Sequence, residues 1–228
     1  MGIAGGPNMI EDGLVLALDA SDKNSYPGSG TTWFDLSGNG NNGTNSNMVH
    51  SLDNNGTFYF NNSTSVSLIS NSNSLNPTTG LSIESWVKFD ANSDDFIFEK
   101  GNVNSQYSLF SHSADIVFRT YHSGDGAYHT QNPAKSTVGI VNGQWHHIVG
   151  SWDGSTKRIY IDGVLKNSVS KSGNLLTQTT GAAVGRFGGT TTGYYFGGYI
   201  SRVCVYNRGL LDTEILRNYN AQKSRFNI

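Results

Sequence analysis

The sequence predicts an all-β chain, a sandwich or barrel of antiparallel strands, and three observations carry that expectation. Short apolar or alternating runs recur along most of its 228 residues. Turn chemistry, rich in Gly, Asn, Ser and Asp, separates nearly every pair of them. The composition agrees, with 28 glycines, 4 prolines and 14% charged residues, against about a quarter charged in an ordinary soluble domain. Hydrophobic residues at 36% and aromatics at 11% are enough to fill one core.

Residues 14–19 (LVLALD) form the first candidate strand. Residues 20–47 read as loop almost throughout, with Pro27–Gly28 and several Asn–Gly or Gly–Asn pairs. Strand-like runs follow at 57–60, 65–69, 81–89, 95–100, 107–111 and 115–121, then at 145–152, 157–163, 164–169, 181–187 and 199–207. In KRIYIDGVLKNS, Ile159 and Ile161 alternate with Arg158 and Tyr160, and Asp162–Gly163 is the dipeptide a tight primed turn favours. A hairpin is expected there. One helix is expected in LLDTEILRNYNAQ, with Asp212 as its N-cap and Leu211, Ile215 and Leu216 as a short apolar stripe. The resulting organisation is a flexible arm (1–12), one folded domain (13–216) and a C-terminal tail (217–228).

A net charge of −2 gives no electrostatic footprint for nucleic acid or an anionic membrane. No stretch approaches the roughly 18 apolar residues of a membrane span. The first residues lack a signal-peptide pattern, and Gly6 stands where myristoylation needs Ser or Thr. The single Cys204 excludes an intrachain disulfide, and in RVCVY it reads as a buried strand thiol.

The stretch GQWHHIVGSWDG holds adjacent histidines and a nearby aspartate. Successive strand residues face opposite ways, so His146 and His147 cannot share a metal without a bulge. Trp145, His147 and Val149 are expected on one face, and His146, Ile148 and Trp152 on the other, with Asp153 serving an Asp–Gly turn. A better candidate for ligand contact is the loop SGDGAY and its flanks, which would gather Tyr121, His122, Asp125, Tyr128 and His129. The competing reading is an ordinary polar hairpin loop. Trp33, Tyr26, Tyr194 and Tyr195 join them as loop aromatics able to stack on sugar rings.

Glycosidase chemistry needs paired carboxylates roughly 5 Å or 6.5–9.5 Å apart. The glutamates are Glu11, Glu84, Glu99 and Glu214, and Glu84 has no acidic neighbour two positions away. Neither a Gly-x-Ser-x-Gly elbow nor a phosphate-cradling glycine loop is present. A non-enzymatic role is expected.

LSIESWVKF, FEKG, YSLF, IVFR, GQWHHIVGSWDGSTKRIYIDGVL, AAVGRFG and FGGYISRVCVYNRGLLDTEI, in that order, resemble the laminin-G-type domain. The resemblance runs from about Gly13 to Leu216 and implies the concanavalin A-like jelly roll, a two-sheet antiparallel β-sandwich, here with one short C-terminal helix. The two ends, GLVLALDASDKNSYPGSGTTWFDLSGNGNNGT and EILRNYNAQKSRF, resemble structural proteins of tailed bacteriophages, notably marine and cyanobacterial ones. The implied function is a phage virion structural or decoration protein, displayed on the particle surface and binding host-surface glycans. Its implied partners are capsid or tail proteins and host polysaccharide, with a homo-oligomer left open and neither nucleic acid nor membrane insertion expected. The alternatives are a carbohydrate-binding adhesion module of a bacterial surface protein and a glycan-cleaving enzyme. The family often holds calcium near a D-x-S-G-x-G-x-x-G loop, which would place the ion at Asp35, Asn39 and Asn41. Ser201 and Arg202 stand where the family's last long strand carries acids, and an arginine there argues against the ion.

Overall fold

A strand that alternates apolar and polar residues can hide its apolar side only against a second layer. The computed structural model describes residues 9–90, 94–101, 106–113, 115–122, 125, 134–136, 140, 143–188 and 193–228, and within them two sheets meet that need. The strands are β1 (Leu14–Asp19), β2 (Thr32–Trp33), β3 (Gly43–Ser46), β4 (Val49–Ser51), β5 (Thr57–Asn61), β6 (Val66–Ile69), β7 (Leu81–Phe89) and β8 (Phe96–Lys100). They continue with β9 (Tyr107–His112), β10 (Asp115–Thr120), β11 (Ala134–Lys135), β12 (Trp145–Trp152), β13 (Thr156–Ile161), β14 (Val164–Ser170), β15 (Ala182–Val184) and β16 (Gly197–Tyr206), followed by one helix, α1 (Asp212–Gln222). The first sheet runs β14-β13-β12-β7-β16-β5-β4, with β1 also paired to β16, and the second runs β11-β10-β9-β8-β15-β6-β3-β2. The all-β sandwich with one short C-terminal helix is the architecture the sequence predicts.

The core between the sheets holds Trp33, Phe58, Phe98, Phe118, Ile148, Trp152, Ile159 and Val203 among others. It is tight enough that a Cβ on Gly150 would overlap the Phe118 ring. The expected hairpin is present: Asp162 (φ 53) and Gly163 (φ 75) both take the left-handed region that a type I′ turn requires. The histidine pair also divides as expected. Ile148 and Trp152 enter the core, whereas His147 faces outward beside Trp86. Four strands, β2, β3, β4 and β11, fall in stretches that read as loop or were assigned no element, because residues such as Gly43–Ser46 are polar and carry no period-two signal.

Two differences concern the C-terminus. Leu211, not Asp212, is the N-cap of α1; Glu214 accepts the Leu211 N–H at 2.9 Å and is held by both terminal nitrogens of Arg208 at 2.8 Å. Residues 217–228 are also not a free tail. With α1 they close the outer face of the first sheet, where Phe226 stacks on Trp86 at 4.1 Å and lies 4.8 Å from Trp145. Arg225 donates to the Asn54 and Gly56 carbonyls at 2.7 Å each, to Asp19 at 3.1 Å and to the Ser201 hydroxyl. Asn218 donates to Glu84 at 2.7 Å and accepts the Ile10 N–H at 3.0 Å, so both ends of the described chain are tied to this face. Those partners come from remote positions, which is why composition alone read the segment as loose.

The charges buried here are compensated. Burial pushes the Asp19 carboxyl up, but the Arg202 and Arg225 guanidinia outweigh it and hold the group below its ordinary value. Glu84 behaves alike: burial raises it, while His147, Arg202 and Asn218 bring it below the usual range. Burial pushes the Cys204 thiol up to about 12, which leaves it an unreactive strand residue.

Phe226 is only 4% exposed, so Phe226→Ala is expected to cost about 3–5 kcal/mol in urea unfolding. Leu52→Ala, at a side chain 82% exposed, should stay within about 0.5 kcal/mol of the parent.

Candidate functional site

The outer face of the second sheet carries the site, and β9 shows why. Tyr107 and Leu109 enter the core, so Ser108, Phe110 and His112 point the other way. In β8 the register shifts between Phe96 and Phe98. Ile97 and Phe98 both enter the core, and this extra residue lets Phe96 and Glu99 both face outward. On the β15 side the Ile97 carbonyl accepts the Gly185 N–H at 3.0 Å. In β10, Ile116 and Phe118 point inward, which leaves Val117 and Arg119 outside.

Two cross-strand rows result. Phe96, Phe110 and Val117 form one, and Glu99, Ser108 and Arg119 the other. Phe96 and Phe110 stack nearly parallel, centroids 4.6 Å apart at 6°. The Arg119 guanidinium backs them, 4.9 Å from the Phe110 ring centre. Arg119 also donates to Ser108 at 3.2 Å and lies 3.6 Å from Glu99. Glu99 in turn accepts the Gly188 N–H at 2.6 Å.

Beyond β15 a short stem, bridged at Arg186 and Tyr195, brings two more rings to the same place. Phe187 meets Phe96 edge-on at 5.0 Å, and Tyr194 stands 6.0 Å from Phe187. Tyr194 is 61% exposed and sits at φ 53, a left-handed conformation that bulky residues seldom adopt away from functional sites. Asp94 and His112 close the rim, with His112 Nδ1 3.0 Å from Asp94 Oδ1. The six side chains Asp94, Phe96, Phe110, His112, Phe187 and Tyr194 line a cavity of about 160 Å³. Phe96 is itself buried between Phe110 and Phe187, so the rings a ligand can reach are Phe110, Phe187 and Tyr194. Beside a polar rim they suit a ligand that is apolar on one face and hydroxylated at its edge.

The residues expected from sequence lie elsewhere. Trp33 is fully buried and packs edge-on to Phe58 at 4.7 Å, so it offers no surface to a ligand. Tyr26 and Tyr121 are buried as well. His122 and Asp125 do come together, but structurally: the imidazole contacts Thr120 Oγ1 at 2.7 Å and the Gly173 carbonyl at 2.8 Å. Asp125 accepts the His122 N–H at 3.0 Å and pairs with Lys171. Burial pushes the His122 pKa down. Tyr128 and His129 lie outside the described residues. Of the loop aromatics expected to meet a ligand, Tyr194 lines the cleft. Phe96, Phe110, Phe187, Asp94 and His112 were not anticipated. The available signal was the outward pair Phe110 and His112, two positions apart on one strand.

A two-sheet sandwich with an aromatic cleft on the outer side of one sheet is a lectin-like architecture. The chain belongs to the Laminin_G_3 family, the concanavalin A-like lectin/glucanases superfamily, whose model matches residues 60–216. Among solved structures it is similar to the binding domain of Paraclostridial Mosquitocidal Protein 1 (TM-score 0.70, 16% identity, covering 92% of this chain and 52% of that one). It is similar also to the receptor-binding domain of botulinum neurotoxin type G (TM-score 0.66, 18% identity, 91% and 51%). A third is domain 4 of AbnA, a GH43 extracellular arabinanase from Geobacillus stearothermophilus, in complex with arabinotriose (TM-score 0.63, 18% identity, 91% and 98%). The chain thus spans about half of the toxin domains and nearly all of the arabinanase domain. At these identities the likeness is one of fold. No curated protein matches the chain.

Calcium, which the family resemblance implies, does not fit the residues assigned to it. Asp35 accepts the Ala17 and Ser37 N–H groups on one oxygen and the Ser37 hydroxyl and Asn41 N–H on the other, all within 2.8–2.9 Å. Those four donors saturate a carboxylate. The Asn41 amide donates to the Val15 carbonyl and Ser74 and accepts from Ser72. Asn39 points its amide nitrogen at Leu14 and Ser37. The loop is a hydrogen-bonded turn rather than a cation cage, and Arg202 spends its charge on Asp19 at 3.1 Å. Thermal midpoints in millimolar calcium and in chelator are accordingly expected to agree within about 1 °C. A larger rise with calcium would return an ion to the fold.

Proposed function

We propose that the chain is a non-enzymatic, lectin-like module that binds glycan in the aromatic cleft of its second sheet, on the exposed surface of a phage virion. The observation that carries the binding role is the cleft itself: Phe110 as floor with buried Phe96 stacked against it, Phe187 and exposed Tyr194 as wall, Asp94 and His112 as polar rim. Three features support the reading. The family is that of lectins and glucanases. The arabinanase domain was solved with a bound arabinose oligosaccharide, and the similar botulinum neurotoxin type G structure is a receptor-binding domain. Glu84 and Glu99 are both buried and held by protein partners, which disfavours the paired-acid chemistry of a glycosidase.

The virion placement rests on the resemblance of both chain ends to tailed-phage structural proteins. Capsid or tail proteins are then the structural partners and host polysaccharide the ligand. Mass spectrometry of purified particles whose genome encodes the chain should find it at stoichiometric copy number, and its absence from them would reject the placement. For the binding role, calorimetric titration with host-cell polysaccharide should show saturable binding. Phe110→Ala or Tyr194→Ala should weaken it at least tenfold, since stacking against one ring is worth about 0.5–1.5 kcal/mol beyond its buried area. Full binding by both variants would move the site off the cleft.

A further inference from the structure

We infer that the cleft selects an uncharged sugar ring through two hydrogen-bond acceptors on its rim, Asp94 Oδ2 and His112 Nε2, and excludes acidic glycans. The inference rests on the glycan reading of the cleft and adds the chemistry of its ligand.

Asp94 Oδ1 is already engaged: His112 Nδ1 stands 3.0 Å away, and the Ser113 N–H donates to the same oxygen at 3.2 Å. A carboxylate can only accept, so the imidazole nitrogen facing it must carry the proton. In the neutral ring the other nitrogen is then a bare acceptor. Neither Asp94 Oδ2 nor His112 Nε2 has a partner among the described residues. Both side chains are open to solvent, His112 at 51% and Asp94 at 40% exposure. The polar edge of the cavity, to which both residues belong, therefore supplies two acceptors next to the phenyl rings.

Two acceptors call for two donors on the ligand. Adjacent hydroxyls of a sugar supply one O–H each while the C–H face of the ring lies on Phe110 and Tyr194. A carboxylate, sulfate or phosphate brings acceptors and negative charge to the Asp94 carboxylate, a doubly unfavourable meeting. Nor does the nearby cation offset this. Arg119 is buried beneath the rings and faces Glu99 and Ser108.

The test is calorimetric titration at pH 8 with neutral polymers (arabinan, mannan, dextran) and acidic ones (polygalacturonate, heparin). Saturable binding of at least one neutral polymer and of no acidic one is expected. Asp94→Asn, which replaces an acceptor by an amide, should weaken neutral binding about tenfold or more without moving the melting temperature. Tyr194-dependent binding of an acidic polymer as tight as that of any neutral one would overturn the selectivity and leave the cleft a glycan site. Unchanged affinity in Asp94→Asn would overturn it too. Neutral binding indifferent to Tyr194→Ala would overturn the cleft itself, as would the absence of binding to every polymer.

Discussion

Each strand has only two faces, and a sandwich must dispose of the outer face of both its sheets. The first sheet resolves this by covering. Trp86 and Trp145 are roofed by Phe226 and Tyr219, and Glu84 and His147 form a buried polar seam with Asn218 of α1. Removing the roof would strand a buried carboxylate and two indoles together, so the C-terminal segment is a structural part of the fold. On the second sheet Phe96, Glu99, Ser108, Val117 and Arg119 are buried as well, the first two under the stem that carries Phe187 and Gly188, and Tyr194 with the cleft rim stays open to solvent. The cleft left at the edge of that cover is what gives the molecule a candidate site.

The cleft depends on a single register shift. Without the extra residue at Ile97, strict alternation would place Phe96 and Phe98 on the same side of β8, and Phe110 would lose the ring it stacks on. The bulge is a backbone feature anchored by the bond from Gly185 to the Ile97 carbonyl. The floor is therefore positioned before any ligand arrives, and little side-chain freedom remains to be lost on binding. Arg119 reinforces this by packing a cation behind the rings.

Much of the fold was legible in the sequence because period-two alternation and turn dipeptides are local signals. LSIESWVKF, KRIYIDG and the Asp162–Gly163 turn illustrate it. What escaped was set by remote partners. Trp33 sits among Gly, Asn and Ser and looks exposed, yet the short pairing of β2 with β3 turns it into the core. Arg225 looks like part of a polar tail until Asp19, Asn54, Gly56 and Ser201 are brought beside it. The cleft was hidden twice over. The bulge disguised Phe96 as a core residue, and Phe187 and Tyr194 come from a stem that is distant in sequence. His122 and Asp125, expected as ligand contacts, do lie together, but Thr120, Gly173 and Lys171 engage their side chains.

The bond between Ile10 and Asn218 has a spatial corollary. From Ile10 onward the chain enters on the first-sheet side, and Phe226 lies on that side too, whereas the cleft opens on the opposite side. The molecule thus has a back and a front, separated by two sheets packed about 10 Å apart. Anything gripping the back, or joined to the chain near either of these residues, leaves the front facing outward.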